Sequence, residues 1–456
     1  MQNACARKST RRDFLKVAAA GAAAVPTMGA SPPKVGAKPV KIKFFHTEPD
    51  PKTIKVINDA AKAFKEKYPH ITVEATSYGW AVMEQKILAA HAAGAPPEIA
   101  NTFGTHIAWA VARGVVRPLD DVYKATGGDK EWHEDMIKLV KWDGKIWSLP
   151  WTWGTDCRLV RADLAKEAGL KDPQTWDEFL EWAQALTKPP DRYGFHLAGN
   201  AALWFNEDVF EFLGQQGGQM WDDDGLPALV SGEMNDAIEY YKKLAPVMPP
   251  GWMADGYVET MSAMALGKSA SANLWGRNLG YLEQYAPPDK QNSESYKMLR
   301  MPAGKKGRFT QDGFDNICIY SNSRHPEEAA EFLKLFLLPE WGKRVCLSVP
   351  LHMFPSQKSV LKDPEYTQNP ILKKWKQWTD PVWENRKAGD AWPFFVMKKG
   401  DITVPYASEI ANAGILGSMI VDVLTKGVKN KEAMETAQAR ALKIAAETRL
   451  IRKPTR

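Results

Sequence analysis

Residues 40–76 run VKIKFFHTEPDPKTIKVINDAAKAFKEKYPHITVEAT, and the hydrophobic period changes twice along them. Pro39–Phe45 alternates apolar and polar positions, the two-residue period of a half-buried strand. Ile54, Ile57, Ala61 and Phe64 then recur at helical spacing between Thr53 and Tyr68, and Pro69 stops the run. Ile71–Ala75 alternates again as a second strand. Working outward, the spacing predicts a helix around Ala81–Ala93, a turn at Gly94-Ala95-Pro96-Pro97 and a short apolar strand over Ile99–Phe103. Strand, helix, strand, helix, strand is the doubly wound α/β pattern, and it favours parallel pairing. Ligand is then expected where loops leave the carboxyl ends of the strands, at His46–Asp50, Ser77–Trp80 and Thr102–His106.

A second α/β region is expected after Lys145–Pro150 (KIWSLP). Thr175-Trp176-Asp177-Glu178 reads as a capping box opening a helix with Phe179, Leu180, Trp182, Ala183 and Leu186 inside. Helices are also expected over Asn235–Leu244, over Pro326–Leu338 with proline in its first turn, and along the Ala-rich stretch Ile410–Arg449.

At 456 residues the chain is long enough for two or three domains, and 44% hydrophobic with 25% charged residues is globular composition. The net charge of +6 is concentrated at the start. Residues 1–37 hold six basic side chains against Asp13 alone, a net of +5, so +1 is left for the remainder. A body this near to neutral has no excess from which to build a nucleic-acid surface, and no nucleic-acid partner is expected. Thr10-Arg11-Arg12-Asp13-Phe14-Leu15-Lys16, followed by the apolar run Val17–Ala24, has the form of a twin-arginine export signal. The run is too short to span a bilayer, and cleavage is expected after Ala37, with Ala30 the other possible site. Cys5 goes with the leader; Cys157, Cys318 and Cys346 remain, isolated in sequence, and read as buried small side chains or one disulfide.

Motifs of catalysis are missing from the sequence. There is no HExxH, GxSxG or GxGxxG. Ser262–Ser269 (SAMALGKS) ends like a phosphate loop but lacks its first glycine, and Asp222-Asp223-Asp224-Gly225 lacks the spacing and the distal Glu of a calcium loop. The expectation is a binding protein rather than an enzyme, with no cofactor and no metal; an exported glycan hydrolase is the catalytic alternative.

The order of these pieces resembles the extracellular solute-binding proteins of bacterial ABC importers, the type-1 family that includes maltose- and multi-sugar-binding members. The resemblance is carried by Ala60–Thr76, Ala92–Ile99 (AAGAPPEI), Ala112–Asp121 (ARGVVRPLDD), Lys145–Pro150, Leu164–Leu186, Gly217–Ser231 and Ala265–Ala272 (ALGKSASA). It spans about residues 38–450. It implies an α/β two-lobe periplasmic-binding-protein fold of type II, each lobe a mixed sheet flanked by helices, with three crossovers at the hinge. The crossovers fall near Leu149–Trp153, Arg308–Gly313 and Met353–Gln357. The N-lobe is then 38–150 plus 311–355, and the C-lobe 151–310 plus 356–456. The implied partners are a small-molecule ligand and the membrane permease, the protein itself acting as a monomer in the periplasm.

Eighteen Trp fit a ligand with flat apolar faces, as a sugar has, or a Trp-heavy core. Placed on the cleft loops, the candidate ligand residues are Glu48, Trp80, Thr105, Trp151, Trp153, Asp156, Trp204, Trp275, Arg277, Asp312 and Asp315. Trp176 and Trp182, and also Trp375, Trp378 and Trp383, are expected in the core. Three ligand classes use such a set: a carbohydrate, favoured by the family and the aromatic count; a quaternary amine in an aromatic cage; and a glycerophosphate or polyol, which Arg277 would suit. An arginine in the cleft counts against the amine.

Overall fold

The computed structural model describes residues 38–200, 202–396 and 404–448; the leader of residues 1–37 lies outside them. Twelve strands are described: β1 Val40–His46, β2 Ile71–Ser77, β3 Ile99–Thr102, β4 Lys141–Trp142, β5 Lys145–Ile146, β6 Leu149–Thr155, β7 Cys157–Arg161, β8 Ser271–Leu274, β9 Tyr296–Leu299, β10 Thr310–Ile319, β11 Phe354–Pro355 and β12 Ala391–Pro393. The opening period changes are realised nearly as read, with helices Pro51–Lys67 and Trp80–Ala92 between the first three strands. Asp50 caps the first helix by accepting from Lys52 N at 3.0 Å.

A seven-stranded sheet runs β11-β6-β10-β3-β1-β2, with β12 also on β10. The pairings of β1 with β2 and β3 are parallel, as the doubly wound pattern requires, whereas β10 is antiparallel to β3 and β6, so the sheet is mixed. A second sheet, β8-β7-β9, is antiparallel throughout. The chain passes from the first sheet to the second across Asp156 alone, between β6 and β7. Residues 149–153, the expected first crossover, are therefore part of β6 in the large sheet.

Two large apolar cores lie apart, and a third cluster, with Trp153, Phe314 and Phe354 beside Leu159, Leu274 and Met298, joins the two sheets. Phe44, Phe64, Phe332 and Phe336 pack edge to face beneath the large sheet, with Trp151 among them. Phe179, Trp182, Phe205, Phe212 and Tyr241 centre another core. There the buried Arg158 guanidinium lies over the rings of Phe179 and Phe195, at 3.9 and 4.2 Å. The Ala-rich stretch Ile410–Arg449, expected to be helical, falls within its described part into three helices, Ala407–Asn412, Ile415–Lys426 and Asn430–Thr448. Gly414 and Gly427, at φ 61° and 64°, turn the chain in the left-handed region between them. Cys157, Cys318 and Cys346 are free and buried.

Candidate functional site

The carboxyl ends of β1, β2 and β3 meet at one edge. Thr47 Oγ1 and N donate to Asn101 Oδ1 at 2.5 and 3.1 Å, and Ser77 Oγ donates to Glu48 O at 2.7 Å. These bonds hold the three loops together as one rim. Facing the rim is the segment that follows β8, and between them lies a cleft of about 590 Å³. That volume suits a small molecule.

Its walls are aromatic. Trp80, opening helix Trp80–Ala92, lies against Phe103 with ring centroids 4.0 Å apart. Trp204 stacks on Tyr257 at 5.5 Å, and Tyr281 and Tyr285 complete the lining on that side. Trp275 projects between these pairs, its backbone N–H donating to Tyr257 Oη at 2.9 Å. The indole rests on a floor that only glycine can supply. Gly154 and Gly313 are cross-strand partners in β6 and β10; a Cβ on either would stand 2.8 or 2.6 Å from the ring.

The polar groups are mostly acidic. Arg277 Nη2 donates to Glu48 Oε2 at 2.7 Å, so the cleft's guanidinium is already engaged by a buried carboxylate. Burial pushes the Glu48 carboxyl up, and Arg277 opposes the push. Asp315 accepts from Thr152 Oγ1 at 2.5 Å, and burial, with Glu48 nearby, raises it to about 7. Glu207 and Gln311 line the cleft, both almost fully buried, and each leaves one side-chain oxygen, Oε1, without a partner. His352, also lining, is held neutral by burial, with Arg277 adding to the effect. Among the described residues no three His, Cys, Asp or Glu side chains are grouped to hold a metal ion.

Of the residues picked from sequence, Trp80, Trp153, Trp204, Trp275, Arg277 and Asp315 line the cleft. The others stand elsewhere. Trp151 is buried against Phe44 and Phe336 in the core, because the adjoining sheet face is apolar. Glu48 lies behind the wall and acts on Arg277. Thr105 and Asp312 face a separate void of about 40 Å³, too small for more than water. Asp156 is buried beneath the floor beside Glu211, Asp208 and Glu207. Even Trp153 is mainly structural, donating from Nε1 to Pro355 O at 3.0 Å and packing edge-on to Trp383. Trp375 and Trp378 are core, as their spacing predicts. Glu207, Tyr257, Tyr281, Gln311 and His352 were not picked out. The one available signal for Glu207 was its place a turn after Trp204.

The descriptive model of the bacterial extracellular solute-binding protein family matches residues 59–374. The chain belongs to that family. A binding protein of Brucella abortus (strain 2308) is 24% identical over 311 residues, covering 66% of this chain and 73% of that one. Among solved structures, a solute-binding protein of an ABC transporter from Agrobacterium radiobacter K84, in complex with ribitol, superposes with a TM-score of 0.72. It is 22% identical and covers 89% of this chain and 99% of that chain. The maltose-bound MalE3 of T. maritima superposes at 0.73 with 19% identity, covering 89% and 100%. At such identities the likeness shows the fold: a mixed α/β two-lobe periplasmic-binding-protein fold.

Proposed function

We propose that this protein is the substrate-binding subunit of an ABC importer, that it captures a carbohydrate in the cleft, and that it hands the ligand to membrane permease subunits. The carrying observation is Trp275, a partly buried indole resting on Gly154 and Gly313 in the wall of a cleft that also holds carboxyl and amide oxygens. A sugar or polyol offers C–H faces to the ring and hydroxyl donors to those acceptors. The ribitol- and maltose-bound relatives in fold support the same class of ligand. In this reading the protein is exported by the twin-arginine route, residues 1–37 are removed, and the mature protein acts as a monomer without catalysis.

The lobe division of 38–150 plus 311–355 against 151–310 plus 356–456 is part of the proposal. The two large cores support it in outline, one drawn from residues 42–151 and 317–366 and the other from 160–309 and 394–445, although Trp151, Val360 and Tyr366 side with the first and a third cluster, with Trp153, Phe314 and Phe354 beside Leu159 and Leu274, joins the two. Ligand touching both lobes stabilises the closed state, which the permease reads.

A thermal-shift screen of the full chain tests the reading, because a ligand bound by the native state alone raises the melting temperature. The panel holds mono- and oligosaccharides, polyols, glycerol phosphates and quaternary amines. A shift with a carbohydrate that disappears in Trp275→Ala is expected. Shifts confined to phosphates or quaternary amines would keep the fold and overturn the ligand.

A further inference from the structure

We infer that the carbohydrate bears a basic nitrogen: the cleft selects an amino sugar or amino polyol, whose ammonium sits against Glu207. The inference rests on the carbohydrate reading above and names the subclass.

Helix Ala202–Gln215 brings Trp204 and Glu207 to the cleft wall one turn apart. Glu207 is 2% exposed, and its Oε1 has no partner; nor has Oε1 of Gln311 beside it. Gln311 Oε1 is an acceptor, as is Glu207 Oε1 when its carboxyl is ionised, and a buried acceptor left unpaired is costly. A ligand group that fills this corner must therefore bring donors. A hydroxyl brings one; an ammonium brings three and a charge.

The charge can stand in for the protons that the surrounding carboxyls hold. Behind Glu207 stand Asp208 and Glu211 on the same helix and Asp156 in the link between β6 and β7. Arg158, clamped over Phe179 and Phe195, is the one guanidinium whose influence reaches Asp156, Asp208 and Glu211. Beyond that one guanidinium the four buried carboxyls are compensated by protons, which a ligand cation can replace. Burial and mutual repulsion accordingly push Glu207 and Asp156 well up and carry Glu211 to about 8, while burial brings Asp208 to about 7. The bases on the cleft surface do not redress this. Arg277 is paired with Glu48 through Nη2 at 2.7 Å, and His352 is neutral. This removes the objection that an arginine in the cleft raises against a cationic ligand. Trp204, stacked on Tyr257, supplies the π-face that an ammonium also favours. An anionic group in this corner would meet Glu207, with Asp315 and Asp50 also on the cleft wall, so sugar acids and sugar phosphates are disfavoured there.

The test is isothermal titration of the full chain with two matched sets: glucitol, glucamine and gluconate; and cellobiose, the β-1,4 dimer of glucosamine, and cellobionate. In at least one set the amine should bind about tenfold or more tighter than its neutral partner, the scale of one hydrogen bond to a charged group, and the acid should not bind. In Glu207→Gln that ratio should collapse toward unity. A neutral member that binds as tightly as its amine in the wild type overturns the inference while leaving the carbohydrate reading standing, whether or not the variant folds. A preference that survives Glu207→Gln overturns the placement at Glu207. Binding of no carbohydrate in any charge state, here or in the wider screen, would bring down both readings together.

Discussion

Gly154 and Gly313 are valuable for what they leave out. Side by side across β6 and β10, they let the Trp275 ring approach the backbone of the large sheet. In Gly313→Ala the new methyl would start 2.6 Å from Trp275 Cη2. The strand is locked by pairing on both sides, so the partly buried indole has to move. Carbohydrate affinity by calorimetry should then fall about tenfold, since misplacing one aromatic contact of this kind loses on the order of 1 kcal/mol or more. The melting temperature should change little. An unchanged affinity would mean that the ring is not a ligand platform. Trp275 was legible in the sequence because it follows a strand at the cleft edge. Its floor was not, for nothing local distinguishes a glycine under a ring from a glycine in any strand.

Helix Ala202–Gln215 shows why part of the site was hidden at the level of elements. Trp204, Glu207, Asp208 and Glu211 fall at i, i+3, i+4 and i+7, the positions that an apolar stripe normally takes. Carboxyls on the buried face spoil the period, so a buried helix reads as an acidic surface segment. The early βαβα elements carry no such conflict, and their order was readable to within a residue or two. Long-range side-chain pairing is equally invisible from sequence. Buried Glu84 of helix Trp80–Ala92 accepts from Ser408 and Asn412 of helix Ala407–Asn412, while Arg113 Nη2 stands 3.3 Å from Glu409. Glu84→Ala would leave the buried Ser408 hydroxyl without its acceptor and free the exposed Asn412 amide to water, at a cost of about 1–3 kcal/mol in urea unfolding. Arg113→Ala breaks a partly exposed pair and should cost under about 1 kcal/mol beyond the lost stacking of its guanidinium on Trp109. If both variants cost the same, the Glu84 carboxylate is not the anchor of this contact.

Over the whole molecule, the buried acids and buried histidines pull stability in opposite directions with pH; their windows overlap below pH 6.5 and part above it. Burial lowers His46 to about 4 and His106 to about 3. The unfolded chain binds more protons at these sites, so their contribution is present above about pH 6.5 and is lost as pH falls. Burial raises Asp208, Asp312 and Asp315 to about 7 and Glu211 to about 8. Here the folded chain binds more protons, so stability is full below about pH 4 and is lost as pH rises through 7 to 8. Above pH 6.5 the histidines add nothing further and the acids alone still titrate. The melting temperature should therefore fall between pH 6.5 and 8.5. Glu211→Gln should flatten that slope, because the amide oxygen can still accept from Thr310 Oγ1 and Gln311 N but carries no proton to lose. A basic nitrogen seated at Glu207 should flatten it too, since a bound cation favours the ionised form of the carboxyls around it. A melting temperature that holds level or rises across this range, measured without ligand by calorimetry, would show that the acid cluster does not keep its protons in the folded state.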